Sequence, residues 1–489
     1  MKVCHLTFLK LLLENFYYCI PFILSPPGLL GGFRIIMENL IRKYNKQNSL
    51  LVVSSYPKKR ETYSDGVCAV AGFTKNTILE LRKTGKFKKI VVLTMIIDEE
   101  EVYEERGILI VRCFKRNQPK TYINLFKKIK LFSQVKDVLV EFEFASFGDS
   151  KATFALLPFI WSLYFSGKKI TLVIHQVVLD LKMLSGHIGI RSNNLLSYIF
   201  NPALLLFYKL LAFPASSVVV LEETLKKRLS EIINEKKIQV IPHGVAPVKA
   251  PRITKRKARK LLNLSKDELV ILYFGYLTWY KGVDFLVRAL IGKKTLNGKK
   301  LRLIIAGGPS FTQSKKRHYR DFIIKVQDLI KKVPNNIMIT GFVKETDISS
   351  YFAASDIVVL PYRAFISSSG PLSLALAFKK PFILSEALVE LLNSQDIEES
   401  MRKSGIEKND LLFKLNQMEL VKKIQISTNR TQLKKLEEFS KILSSKRSFK
   451  KLAQSYVKVL APNPVKTNRD LFSIYAALFA LRPWTSKNQ

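Results

Sequence analysis

From about residue 50 the chain alternates short β-branched runs with amphipathic stretches of helical period, the pattern of parallel sheets joined by crossover helices. One set of predicted strands comprises Leu50–Ser54, Ile90–Thr94, Ile108–Val111, Val138–Phe142, Ile170–Ile174, Ser217–Leu221 and Gln239–Ile241. A second comprises Leu269–Phe274, Leu301–Ala306, Ile337–Thr340, Ile357–Leu360, Pro381–Leu384 and Leu411–Phe413. The pattern predicts an α/β fold of two doubly wound, Rossmann-like domains. Between the sets, Ala246–Arg252 carries two prolines and no period, as an interdomain linker does. The expected division is an N-terminal extension over 1–48, domains over 49–246 and 247–460, and an apolar tail over 461–489.

Two stretches break the alternation. Residues 6–30 are apolar and aromatic, but Lys10, Glu14, Asn15 and Pro21 interrupt them, leaving no clean run of about 20 apolar residues. A cleaved signal peptide, an interfacial or buried segment, and a start of translation near Met37 are all open readings; intact mass from the native source tests the last. In Asn194–Phe213, Pro202 and Lys209 argue against a bilayer span. The expectation is a kinked helix partly buried against the sheet, with a membrane-dipping face as the alternative. Leu471–Leu481 is a further apolar stretch, suited to packing across the domains or to touching lipid.

Composition narrows the class. A 489-residue chain with 47% hydrophobic and 24% charged residues folds around sizeable cores. Its 80 Lys+Arg against 39 Asp+Glu give a net charge of +41, which makes polyanions or an anionic membrane surface plausible partners. The clusters Thr254–Lys260 and Lys315–Arg317 are equally what solvated basic faces look like, and no aromatic residues interleave with basic ones as in a nucleic-acid groove. Asp98–Glu101 reads as a solvated loop. Cys4, Cys19, Cys68 and Cys113 have neither CxxC nor metal-ligand spacing, which fits a reducing, intracellular setting.

In open parallel sheets ligands collect outside the carboxyl ends of the strands. Gly275 ends one predicted strand, and Val283, Leu286, Val287 and Leu290 begin a helix at Gly282, which puts Lys281 at its N-terminus. A cation there opposes the helix dipole, a mild cost that makes sense if an anion sits between lysine and amides. An exposed lysine is the plain alternative. In Ile366–Pro371, the small residues Ser367, Ser368, Ser369 and Gly370 allow close approach to helix-start amides, although an ordinary N-cap has the same composition. Gly307–Gly308 and Gly341 mark turns after strands, His175 follows a strand, and Gly66 lies in a loop without a GxGxxG pattern.

Taken in order, IPHGV (Ile241–Val245), YFGYLTWYKGVDFLVRAL (Tyr273–Leu290), LRLIIAGGP, IMITGFV, DISSYFAASDIVVLPYR and SSSGPLSLALAFKKPFI resemble the retaining glycosyltransferases of family 4, glycosyl transferases group 1 with the GT-B fold. The resemblance covers about residues 50–460. It implies a nucleotide-sugar donor in the interdomain cleft, held mainly by the C-terminal domain, with the acceptor recruited by the N-terminal one. Lys281 matches the family's diphosphate-binding lysine, whose charge stabilises the departing nucleoside diphosphate. His175 matches a histidine near the donor sugar. Gly275 is the first glycine of the lysine motif, Gly341 and Phe342 fall where contacts to the base are expected, and Gly66 where the phosphates are expected. Glu143 resembles a glutamate of some members. Ser448–Tyr456 resembles the closing helix.

Two departures stand out. Tyr276 replaces an arginine common in the family, leaving Arg363 as the candidate to supply that cation. The Glu-x7-Glu positions fall on Ile366 and Leu374, although some members carry a similar serine-glycine version. The resemblance calls for no metal, no cofactor beyond the donor, and no covalent nucleophile, since such enzymes react on one face through an ion-pair-like state.

The expectation is a cytoplasmic retaining hexosyltransferase, peripheral at the inner face of the membrane. It would move mannose or glucose from a UDP- or GDP-linked donor to a lipid-linked or surface-glycan acceptor, without a nucleic-acid partner. The alternatives are a catalytically weakened GT-B protein that binds sugar nucleotides, and a basic nucleic-acid-binding protein with salt-dependent affinity.

Overall fold

The computed structural model describes residues 31–188, 196–246, 248, 253–332 and 336–460. The apolar stretches 6–30 and Leu471–Leu481 lie outside them, as does most of the predicted linker.

The first sheet contains β1 (Leu50–Val53), β2 (Ile90–Met95), β3 (Glu101–Glu105), β4 (Ile108–Phe114), β5 (Asp137–Phe142), β6 (Lys169–Ile174), β7 (Ser217–Val220) and β8 (Ile238–Val240). Their order is β3-β4-β2-β1-β5-β6-β7-β8, with β3–β4 antiparallel and the other pairs among the described residues parallel. The second contains β9 (Glu268–Phe274), β10 (Thr295–Leu296), β11 (Lys299–Ala306), β12 (Ile337–Ile339), β13 (Ile357–Leu360), β14 (Phe382–Ser385) and β15 (Leu412–Phe413). They run β10-β11-β9-β13-β14-β15, with β12 beside β11. The central strands are buried on both faces, so they read as nearly continuous apolar runs.

Asp98–Glu100 form the exposed loop expected of that acidic run, and only its last residue departs from the reading, because Glu101 opens an edge strand opposite Arg112. Arg106 (φ 51°) and Gly107 (φ 70°) form a left-handed pair that joins β3 to β4 in a tight hairpin. The glutamates, poor strand formers, meet cations: Arg112 Nε donates to Glu101 Oε2 at 3.1 Å, and Lys75 Nζ lies 2.8 Å from Glu105 Oε1.

Alternation along β1 divides the first core. Leu50 and Val52 face α2 (Val70–Lys83), while Leu51 and Val53 face a layer that includes α1 (Gly31–Tyr44), α3 (Thr121–Lys130), α4 (Ser150–Phe165) and α5 (Leu196–Ala212). Helix α5 contains Pro202 and buries Phe207, Tyr208 and Leu211 while exposing Phe200 and Leu206. Among the described residues no helix is long and apolar enough to cross a membrane. In the second half, α6 (Val283–Leu290) and α7 (Gly370–Ala377) follow β9 and β13.

The chain then returns to the first sheet. Helix α8 (Phe449–Leu460) packs Leu452, Tyr456 and Leu460 with Leu50 and Val52, on the α2 side. Just before it, Arg447 ties the halves together. Its guanidinium reaches Glu222 Oε1 at 3.4 Å after β7, and Asp396 Oδ2 at 2.6 Å in the second half. Ser368 Oγ donates to the same Glu222 oxygen at 3.0 Å.

Candidate active site

A cavity of about 220 Å³ opens between the carboxyl ends of the two sheets. Its first wall is the loop from Thr62 after β1 and the first turn of α2 to Phe73, with Glu143 after β5 and His175 after β6. The opposite wall is Gly275–Lys281 after β9, Gly307–Gly308 after β11, Phe342 after β12, and Ser367–Leu374 after β13. This is where two facing doubly wound sheets converge their loops.

Lys281 stands in a 3₁₀ turn, Trp279–Lys281, that ends at Gly282 (φ 70°) before α6 begins. A Cβ on Gly282 would lie 1.9 Å from the Pro361 carbonyl oxygen, so the turn can press against the end of β13 only as glycine. Gly275 (φ 117°) leaves room for the amine, since a Cβ there would sit 3.1 Å from Lys281 Nζ and 3.0 Å from Pro371. The ammonium has no hydrogen-bond or ion-pair partner among the described residues. Desolvation brings it down to about 8, opposed by the Glu143 carboxylate.

The second feature is the start of α7. Ser369 caps it, its Oγ accepting from the Leu372 amide at 3.2 Å and lying 2.9 Å from the Tyr362 hydroxyl. A Cβ on Gly370 would meet nothing within 4 Å, so the cavity is open at the helix start. An anion placed there would meet first-turn amides, the α7 dipole and the Lys281 ammonium.

His175 forms the third feature. Its Nε2 is 2.6 Å from Glu141 Oε2, a fully buried carboxylate on β5, and Phe73 meets its ring edge-on at 4.9 Å. Glu141 orients the ring, which leaves Nδ1 as the nitrogen available to a ligand. Glu141→Ala is expected to reduce turnover by about tenfold through a misplaced imidazole, with Glu141→Gln closer to the parent; equal rates for Glu141→Ala and the parent would show that the orientation does not matter. Glu143 accepts from Gln176 Nε2 at 3.3 Å and Ser146 Oγ at 3.4 Å, and burial pushes its carboxyl up against the lowering charges of His175, Arg116 and Lys281.

The structure thus brings Lys281, His175, Glu143, Gly275, Phe342 and Ser367–Gly370 to one cavity. Gly66 and Gly341 do not line it; both have positive φ and shape the loops that do. Arg363 departs from the expectation most. Its guanidinium grips both Asp284 carboxylate oxygens at 2.8 Å and the Trp279 carbonyl at 2.6 Å, so it braces the Lys281 turn and offers no charge to the cavity.

Sequence reading did not select His243, although it stands in the IPHGV motif. Its Nδ1 donates to the Gly244 carbonyl at 2.8 Å, its ring lies 5.1 Å from Phe73, and burial lowers it to about 4, keeping it neutral. Tyr280 also lines the cavity unannounced, beside Tyr276, which stands where the family commonly has arginine.

The lysine predicts a pH dependence. Its charge is present below about 8 and lost as pH rises through that value, so affinity for a diphosphate should fall over the same window. A bound anion restores the proton, and calorimetry near pH 8 in buffers of different ionisation enthalpy should register proton uptake. In Lys281→Arg the dependence should vanish, because guanidinium stays charged. An affinity flat across that window in the parent would place the anion elsewhere.

Residues 268–425 match the family model described as Glycosyl transferases group 1. An uncharacterized glycosyltransferase of Methanocaldococcus jannaschii is 27% identical over 157 residues, 30% of this chain and 37% of that protein. The lipopolysaccharide 1,2-N-acetylglucosaminetransferase of Salmonella typhimurium is 23% identical over 146 residues, 30% of this chain and 38% of that one. Both alignments therefore span well under half of the relatives' own lengths. Sucrose-phosphate synthase from Thermosynechococcus elongatus superposes with a TM-score of 0.63 at 14% identity, over 88% of this chain and all of that one. Anabaena HepE in complex with UDP does so with a TM-score of 0.57 at 14% identity, over 84% of this chain and 99% of that one. The fold is GT-B, two Rossmann-like domains facing across a cleft.

Proposed function

We propose that the chain is a retaining glycosyltransferase that moves a hexose from a UDP- or GDP-linked donor to a lipid-linked or surface-glycan acceptor at the membrane. The carrying observation is the desolvated Lys281 ammonium on the cavity wall, unpaired among the described residues and facing the open start of α7. The family-model match over the second domain supports the class, and the UDP-bound state of Anabaena HepE supports the donor type.

In this reading residues 49–246 form the acceptor side and 247–460 the donor side, with α8 packing back across the boundary. The diphosphate lies between Lys281 and the Ser367–Gly370 turn, where ammonium and amides take up the negative charge that grows as the glycosidic bond breaks. His175, held through Nε2, presents Nδ1 to a sugar hydroxyl. Gly307, Gly308 and Phe342 leave backbone for the base.

One observation favours a second reading. The Glu-x7-Glu positions are apolar, with Ile366 buried, so no carboxylate from them holds ribose or sugar hydroxyls. A protein that binds donor with weakened catalysis fits that feature. Release of nucleoside diphosphate from a panel of UDP- and GDP-sugars separates the two: turnover with at least one donor supports the transferase, and tight binding with no turnover selects the other.

A further inference from the structure

The layer α3–α4–α5 over the first sheet has a composition that a water-facing surface does not need. None of the three helices contains an aspartate or glutamate, while they carry Lys127, Lys128, Lys130, Lys151 and Lys209. Along α4, Phe154, Pro158, Trp161 and Phe165 follow one another at i, i+4, i+7 and i+11, where a soluble helix turns charged side chains outward. Phe154 is 48% exposed and Phe165 52%. Ile123 of α3 is 50% exposed, and Phe200 and Leu206 of α5 are 48% and 49%. Trp161 is fixed in this stripe, its Nε1 donating to the Leu210 carbonyl at 3.0 Å and its ring stacking on Phe213 at 5.4 Å. An apolar face spread over three neighbouring helices marks an interaction surface.

Charge selects the occupant. Two carboxylates that flank these helices in sequence are engaged: Asp149 caps α4 through the Ala152 amide, and Asp137 lies 3.8 Å from Lys169. Lysines beside aromatic rings, with no acid among them, match the phosphates and acyl boundary of an anionic bilayer. The +41 net charge of the whole chain attracts the same surface at longer range.

We propose that the α3–α4–α5 face is the surface by which this protein docks onto anionic lipid. The phenylalanines and Trp161 enter the headgroup boundary, and the lysines meet phosphates. The inference deepens the reading of a membrane-borne acceptor and rests on it for its biological purpose, while its physical content is tested without any transfer reaction.

The test is sedimentation of the full chain with vesicles of phosphatidylcholine alone or mixed with phosphatidylglycerol. Binding is expected on the mixed vesicles only, weakening with salt. The double variant Phe154→Glu/Phe165→Glu should lower it by about tenfold or more, from lost apolar insertion and added negative charge. Met418→Glu, at a 78% exposed site in the second half, should leave it unchanged. Equal binding to neutral vesicles overturns the proposal. So does a double variant that binds like the parent, which assigns attachment to the apolar stretches near the termini, or a parent that dimerises through this face and ignores vesicles. Both altered positions are exposed, and an unchanged thermal midpoint confirms folding. The transferase reading fails separately: donor turnover without vesicles should survive in the double variant, and Lys281→Ala should still sediment with anionic vesicles.

Discussion

Lys281→Ala is expected to lower donor turnover by on the order of 10²–10³, the usual effect of removing one preorganised electrostatic contact to a developing anion. The loss should fall mainly on kcat, because the diphosphate charge grows as the sugar leaves. Thermal stability should be unchanged or slightly higher, since the amine makes no hydrogen bond or ion pair among the described residues and its burial is a cost. That combination separates a functional cation from a structural one. Kinetics and melting of the parent, Lys281→Ala and Lys281→Arg provide the check. A Lys281→Ala enzyme with parental kcat removes the residue from the mechanism.

Arg447→Met is expected to be the most destabilising of the changes considered, by about 3–5 kcal/mol, because it leaves the buried Glu222 carboxylate, and the partly buried Asp396 with it, without their cation. Arg447 is buried, and it holds Glu222 of the first half and Asp396 of the second in one network. The carboxylates draw its guanidinium further toward the charged form. Burial pushes the Glu222 carboxyl up while Arg447 pulls it down, so without the arginine this residue would take a proton or break the packing. Glu222→Gln should cost less, because Asp396 still pairs with the guanidinium. Scanning calorimetry reads both; a midpoint for Arg447→Met within a degree or two of the parent would contradict the account. The network also touches the cavity: Ser368, beside the start of α7, donates to Glu222, so this variant should weaken diphosphate binding as well.

The central strands were legible because burial on both faces requires nearly continuous apolar runs, and a run such as Ile357–Leu360 has few other uses. Edge strands have no such requirement. Strand β3 is rich in glutamate and is held by a left-handed turn and by Arg112 and Lys75, which a propensity reading does not weigh. The place of Lys281 on the cavity wall was legible because its neighbours in sequence, Gly275 and Gly282, are also its neighbours in space, each making room that a side chain would fill. Arg363 was misread for the opposite reason. The carboxylate that claims it, Asp284, lies 79 positions away, and spacing does not reveal which acid captures which base. Glu222 and Arg447, 225 positions apart, pair for reasons equally hidden in the one-dimensional order, as does the return of α8 to the first sheet.

The most direct measurement is a crystal structure of the chain grown with UDP. The account predicts the diphosphate between the Lys281 ammonium and the Ser368–Gly370 amides, within hydrogen-bonding distance of both, with the base along Gly307–Gly308 and Phe342. A nucleotide bound elsewhere, or a Lys281 amine turned from the phosphates while the Ser367–Gly370 turn stays empty, would contradict it.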